Sequence, residues 1–119
     1  VKIKLKRVYA QPSQDDGYRI LVDRLWPRGF SREMLKIDQW MREVAPSDAL
    51  RKWFSHDPKK WEDFLKRYKK ELNTNEAFQK LVELVKNKET VTLVYSAKDE
   101  EHNQAVALKM FIEEELKKL

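Results

Sequence analysis

The chain has 119 residues, 41% of them apolar and 38% charged, with thirteen aromatics, a net charge of +5 and no cysteine. That length suits a single domain over residues 1–119, burying about two-thirds of its unfolded surface. Disulfides, thiolate metal sites and cysteine nucleophiles are excluded, and with only His56 and His102 neither a bound metal nor a cofactor is expected.

No stretch approaches the ~18 apolar residues of a membrane span, and no charged-then-apolar leader appears, so a cytoplasmic protein without a membrane partner is expected. The basic balance permits polyanion binding. Lysines dominate both ends, whereas five of the eight arginines and all four tryptophans fall between Asp23 and Trp61. Arginine is favoured where a planar fork must be held, though it also makes structural ion pairs.

From Val1 to Tyr9 apolar Val1, Ile3 and Leu5 alternate with Lys2, Lys4 and Lys6, which predicts a half-exposed strand. The polar connection Ala10 to Gly17 is too short for a crossover between adjacent parallel strands. The first two strands are therefore antiparallel neighbours, or parallel with another strand between them. Tyr18 to Leu25 reads as the second strand, with an Ile20-Leu21-Val22 centre suited to burial on both faces. It leads into Asp23-Arg24-Leu25-Trp26-Pro27-Arg28-Gly29, an apolar run cut off by proline and glycine. Ser31 then caps a predicted helix through about Val44, with Met34, Ile37, Met41 and Val44 on one stripe.

Pro46 breaks that helix, and Ser47 caps a short one carrying Leu50, Arg51, Trp53 and Phe54. Asp57 and Pro58 open the next, whose stripe is Trp61, Phe64, Leu65, Tyr68 and Leu72. Asn73 with Glu76 resembles a capping box for a helix burying Phe78, Leu81, Val82 and Val85. Val91 to Tyr95 is the third strand. Asp99 is the expected cap of a last helix facing Ala105, Leu108, Ile112, Leu116 and Leu119 inward. The order predicts an α/β fold: a small, mostly parallel three-stranded sheet flanked by helices, with a helical insertion between strands 2 and 3.

If strands 2 and 3 are parallel, their carboxyl ends share one edge, where open α/β sheets bind ligands. Strand 2 brings Asp23, Arg24, Trp26 and Arg28. Strand 3 brings Ser96, Lys98 and the first turn of the last helix, with His102 and Asn103. Free N–H groups there, with Arg24, Arg28 and Lys98, favour an anion. Each residue also has a structural reading. Arg24 can pair with Asp23, Asp57 or Asp99, Trp26 can anchor the loop, and His56 can pack on Trp61. Ser96 lacks a His-Asp relay, and no Walker loop, dinucleotide fingerprint or HExxH motif is present.

The strings Asp23-Arg24-Leu25-Trp26-Pro27-Arg28-Gly29, Ala45-Pro46-Ser47 with Leu50-Arg51-Lys52-Trp53-Phe54, His56-Asp57-Pro58 and Tyr95-Ser96-Ala97-Lys98-Asp99-Glu100-Glu101-His102-Asn103 resemble the YeaO-like proteins of the DUF488 family. The resemblance covers essentially the whole chain. It implies a compact α/β domain with parallel strands and a non-adjacent first pair. It also implies that thiol chemistry does not transfer, because cysteines common in relatives are replaced here near Tyr95 and Asn103. The family is a domain of unknown function.

The leading expectation is a protein that binds a small anionic, phosphate-bearing ligand at the edge of strands 2 and 3. Arg24, Trp26, Arg28, Arg51, Ser96, Lys98 and Asn103 are the candidate ligand-binding residues. Were hydrolysis or group transfer to occur there, His56, Asp23 and Asp57 are the candidate acid–base groups. The alternatives are a nucleic-acid-binding module, suggested by the arginine–tryptophan interleaving, and a protein–protein interaction domain. Oligomeric state is not readable.

Overall fold

In the computed structural model, which describes residues 1–118, the alternating segment Lys2–Arg7 is strand β1. Tyr18–Leu21 (β2), Gln39–Trp40 (β3) and Thr90–Tyr95 (β4) complete one sheet in the order β1-β4-β2-β3. All three pairings are parallel. The apolar β4 therefore takes the centre, and β1 and β2 are parallel with β4 between them. That decides between the two arrangements open for the short Ala10-to-Gly17 connection.

The register sorts the side chains into two faces. Ile3, Leu5, Val91, Leu93 and Ile20 share one face with Tyr18. Against it pack helices α2 (Asp48–Phe54), α3 (Trp61–Leu72), α4 (Glu76–Lys86) and α5 (Gln104–Lys117). Their stripes supply Leu50, Phe54, Phe64, Tyr68, Leu72, Leu81, Val85, Leu108 and Ile112 to one large core. The opposite face carries Lys4, Lys6, Thr92, Arg19, Val94 and Leu21. A smaller apolar cluster of Val8, Leu21, Leu35 and Val94 covers part of it, with Trp26, Phe30, Ile37 and Trp40 packed alongside.

The rest of that face is held by polar contacts. Buried Arg19 donates from Nη1 to Asp16 at 2.6 Å, and from Nε and Nη2 to the Leu35 carbonyl at 3.1 and 2.8 Å. Asp16 also accepts from Lys6 Nζ at 2.8 Å and the Ser13 N–H at 3.0 Å. Burial pushes the Asp16 carboxyl up, but the hydrogen bonds from Lys6, Ser13 and Arg19 outweigh it and its pKa lies below the ordinary 3.8. Thr92 on β4 donates to the Asp16 carbonyl at 2.7 Å. The connecting loop is thereby fastened across the sheet.

The same arginine explains why the fold has four strands rather than the expected three. The helix after Ser31 does not run to Val44: α1 is only Arg32–Leu35, closed by Lys36 in the left-handed region at φ 50°. Arg19 takes the Leu35 carbonyl, and the Arg19 N–H donates to Asp38 at 2.8 Å. The chain past Lys36 is thus drawn alongside β2 as β3. The stripe Met34, Ile37, Met41 and Val44 is coincidental, since Met34 is exposed while Met41 and Val44 belong to the large core.

Other boundaries move as well. β2 ends at Leu21, not Leu25. Asp57 accepts from the Lys59 N–H at 3.0 Å and caps a 3-10 turn, Pro58–Lys60, that feeds α3. The cap of α4 is Asn75, not Asn73, and that of α5 is Asn103, not Asp99. Asp99 instead accepts from the Glu101 and His102 N–H groups in the turn before α5. Leu119, expected to face inward, lies outside the described residues.

Gly17 joins this network to β2 at φ 63°, and a Cβ there would sit 2.3 Å from the Thr90 carbonyl oxygen. Gly29 also has positive φ, 84°, but a Cβ there meets nothing within 4 Å. Gly17→Ala is expected to lower the unfolding free energy by about 2–4 kcal/mol, against about 1 kcal/mol for Gly29→Ala. Urea denaturation of the two variants checks this; equal losses would show that the Thr90 contact relaxes without cost.

Candidate functional site

The parallel arrangement brings the ends of β2 and β4 together, and Asp23 joins them. Its Oδ2 accepts from the Ser96 N–H at 3.0 Å and from Ser96 Oγ at 2.5 Å. Its Oδ1 accepts from Gln104 Nε2 at 2.5 Å. The segment after β2, the segment after β4 and the first turn of α5 thus meet on one carboxylate, which is 8% exposed. The negative charge near the start of α5 belongs to the protein itself. Asn103 is consumed as the cap, its Oδ1 accepting from the Val106 N–H and its Nδ2 donating to the Asp99 carbonyl.

Beside Asp23 lies a cavity of about 510 Å³, within the range that holds one small molecule. Its polar floor is Asp23, Ser96, Asn103 and Gln104; Leu25, Ala45, Pro46, Phe54, Phe64 and Ala97 line its walls; Arg24, Arg42, Arg51, His56 and Asp48 complete it. Arg42, Arg51, His56 and Asp48 are exposed, whereas Phe64 is deeply buried. Arg42, Arg51 and the Asp48 carboxylate therefore stand at the solvent side, while the Asp23 carboxylate is buried.

The wall around Ala45 to Asp48 is held from three sides. Arg24 donates from Nη2 to the Ala45 and Pro46 carbonyls at 3.1 and 3.0 Å. Tyr68 of α3, wholly buried, donates its hydroxyl to the Val44 carbonyl. Burial, then the nearby Glu71, push the Tyr68 hydroxyl well above its ordinary value, with Arg24 pulling the other way. It stays a donor. Glu71 in turn accepts from the Ser47 N–H at 3.0 Å and Ser47 Oγ at 2.6 Å, while Ser47 caps α2 by accepting from the Leu50 N–H. These contacts order the cavity wall without a ligand.

Six of the residues singled out from sequence line this cavity: Arg24, Arg51, Ser96, Asn103, Asp23 and His56. The structural reading of Arg24 holds in part, because it ties a loop through the Ala45 and Pro46 carbonyls rather than through Asp23, Asp57 or Asp99. Trp26, Arg28, Lys98 and Asp57 are not part of the lining. Trp26 turns to the opposite face of the sheet, donating to the Phe30 carbonyl at 2.7 Å and packing edge-on against Trp40. Arg28 and Lys98 are exposed. Asp57 is spent on its cap.

His56 reaches the rim because Ser55 and His56 both take left-handed conformations, φ 46° and 56°, directly after α2. Its aromatic neighbour is Phe54, and Trp61, its expected partner, packs instead on Phe54, Phe64 and His102. His102 is held by Asp99, Nδ1 to Oδ2 at 2.9 Å, and lies outside the cavity lining. Sequence reasoning missed Arg42, Asp48 and Gln104. Arg42 stood in the arginine-rich stretch but inside a predicted helix, and Gln104 follows Asn103 directly, so only its reach to Asp23 marks it.

The tryptophans carry a further message. Arg67 lies 3.9 Å from the Trp53 ring centre and Lys60 5.1 Å; Arg42 lies 4.7 Å from Trp40 and Arg32 5.7 Å from Trp26. Trp61 stacks on Phe64. Two of the five arginines between Asp23 and Trp61, Arg32 and Arg42, together with Lys60 and Arg67, thus lie over three of the four indoles as intramolecular cation–π contacts.

The family model described as the inactive DUF488-N3 subclade matches residues 2–119. The chain belongs to this family. It is 43% identical over 108 residues to "Uncharacterized protein YeaO" of Escherichia coli (strain K12), covering 91% of this chain and 94% of that one. It is 35% identical over 107 residues to "Uncharacterized protein Rv3073c" of Mycobacterium tuberculosis (strain ATCC 25618 / H37Rv), covering 90% of each chain. The same figures hold for "Uncharacterized protein Mb3100c" of Mycobacterium bovis. No solved structure matches the chain. Among the described residues no helix is long and apolar enough to cross a membrane.

Burial holds the Asp23 carboxyl above its ordinary 3.8, although the hydrogen bonds from Ser96 and Gln104 pull it down. The folded state then keeps its proton to higher pH than the unfolded state. Stability contributed at Asp23 therefore falls as pH rises from 3.8 through the raised value and is level above it. Asp23→Asn removes that dependence. The unfolding free energy of wild type minus variant, read from urea titrations, is expected to decline as pH rises above 3.8 and then to level off. The subtraction cancels Asp16 and Asp99, which are shifted the other way. A difference that grows with pH would reverse the assignment.

Proposed function

We propose that this chain binds a small anionic ligand, of the phosphate-bearing class, in the cavity at the ends of β2 and β4. The observation that carries this is the gathering of Arg24, Arg42, Arg51 and His56 around one preordered cavity with apolar walls. Among the described residues, Arg51 shares a single 3.4 Å contact with exposed Asp48, and Arg42 rests on Trp40. Both guanidinium forks are thus available to an anion entering from solvent.

Binding without turnover is the reading we favour over hydrolase or transferase activity. Asp23 already accepts three hydrogen bonds, Asp57 is a helical cap outside the lining, and Ser96 donates to Asp23 with no histidine relay. That leaves His56 as an acid–base group without a partner to orient it. The family's description as an inactive subclade supports the same choice. The nucleic-acid reading loses its main support, because the tryptophan faces it would use for stacking are engaged by this chain's own cations and rings.

Thermal-shift and calorimetric panels of inorganic phosphate, sugar phosphates, nucleotides and oligonucleotides test the proposal. A phosphate monoester present at a hundred times its Kd should stabilise the protein by about 2.7 kcal/mol. Arg51→Ala should weaken it about tenfold, the loss of one charge-assisted contact, whereas Arg28→Ala, outside the cavity, should leave it unchanged. No stabilisation by any monoester would end the proposal. Oligonucleotide binding that falls steeply with salt and ignores Arg51 would replace it with the nucleic-acid reading.

A further inference from the structure

The inner end of the cavity does not match a ligand that is only an anion. Asp23 lines it, and the two carboxylate oxygens are unequally used: Oδ2 accepts two hydrogen bonds from Ser96, Oδ1 only one, from Gln104. A carboxylate accepts about four in total, so one acceptor position remains, on Oδ1. A phosphate pushed to that end would meet a buried carboxylate and be repelled. At the solvent side stand the exposed Arg42 and Arg51, the latter 3.4 Å from exposed Asp48, and the lining also includes the buried rings of Phe54 and Phe64.

The geometry points to a ligand that is anionic at one end and carries an amino group at the other, with the anion on Arg51 and Arg42 and the N–H donor on Asp23 Oδ1. This rests on the anion-binding reading above and extends it to the far end of the same molecule. The polarity follows burial: two guanidiniums are exposed, partly offset by Asp48, and the carboxylate of Asp23 is buried. A ligand of the opposite polarity would place its anion against the buried Asp23 carboxylate. A ligand with no donor would cover Asp23 Oδ1 and leave it with the Gln104 hydrogen bond and one unused acceptor position, a desolvation that a donor would offset. The raised pKa of Asp23 agrees, since a carboxylate already short of solvation gains from a further donor.

Two sources share this chemistry, an alkyl ammonium and an aromatic amine, and matched pairs distinguish them. O-phosphoethanolamine against ethyl phosphate isolates an ammonium. Adenosine 5′-monophosphate against purine riboside 5′-monophosphate isolates an exocyclic amine, with no N–H on the ring edge of either. Calorimetry on the wild-type chain is expected to show the amino member of at least one pair binding about tenfold more tightly than its partner, the usual scale for a hydrogen bond to a charged group. The pair that shows it names the source. Asp23→Asn should shrink the difference to less than about threefold, whereas Arg51→Ala should weaken both members alike.

The wild-type comparison decides the matter even if Asp23→Asn fails to fold. Equal affinity within both pairs, with both members lost in Arg51→Ala, overturns the inference and leaves the anion site standing. Absence of binding by all four compounds overturns the inference, and the phosphate panel above then decides the fate of the anion site itself.

Discussion

A single buried carboxylate joins the parts of this molecule that could act together. Asp23 follows β2, Ser96 follows β4 and Gln104 opens α5, and the three meet through hydrogen bonds on one side chain. Without that tie the two strand ends would be neighbours only through their backbones. With it, the segments beyond the strands are drawn inward, and the cavity forms between them and the helical insertion. The arrangement also has a cost, visible in the raised pKa: Asp23 is held where its charge is poorly solvated. Perturbed titratable groups that line a cavity are concentrated at functional sites.

The two faces of the sheet are stabilised by different physics. The helical face is a large apolar core built by four amphipathic helices, and its stability follows from area removed from water. The other face is thin, and much of its cover is a polar network around Arg19, Asp16, Lys6 and Thr92. Removing one member of a buried pair of this kind is strongly destabilising, because the remaining charge is left uncompensated. Arg19 does more than pair: by taking the Leu35 carbonyl it holds the end of α1 and draws β3 into place.

The cluster of arginines and tryptophans has two roles that sequence could not separate. Arg24 is a strut, fastening the Ala45–Pro46 wall through its carbonyls. Arg67 and Arg32 cover indole faces. Arg42 and Arg51 stand at the cavity with their forks largely unengaged by acceptors. Side chains of one type, concentrated in one stretch, thus divide between holding the fold and facing a ligand, and the division depends on which carbonyls and rings happen to lie within reach.

Read alone, the sequence determined the class of the fold, a strand within Val1 to Tyr9 and another at Val91 to Tyr95, and the stripes of α3 and α4. The meeting of Asp23 and Arg24 with Ser96 and Asn103 followed only once β2 and β4 were parallel. These follow from local periodicity and from the rule that parallel strands end on one edge. It missed β3 and misplaced the caps of α4 and α5, and it drew Arg28 and Lys98 into a cavity they do not line. Of its two readings of Trp26 and of Asp57, the structural ones, loop anchor and cap, are those the structure bears out. β3 depended on a partner distant in sequence, Arg19, and the two caps on a competing residue two or four positions away. Met34, Ile37, Met41 and Val44 have helical spacing, but the Arg19 contacts to Leu35 and Asp38 end the helix and lead into the strand Gln39–Trp40. Asp99 and Asn103 both have cap chemistry, and only the position of α5 against the sheet selects Asn103. Periodicity is a property of neighbours along the chain, whereas the last hydrogen bond to be satisfied at each loop belongs to whatever the tertiary structure brings beside it.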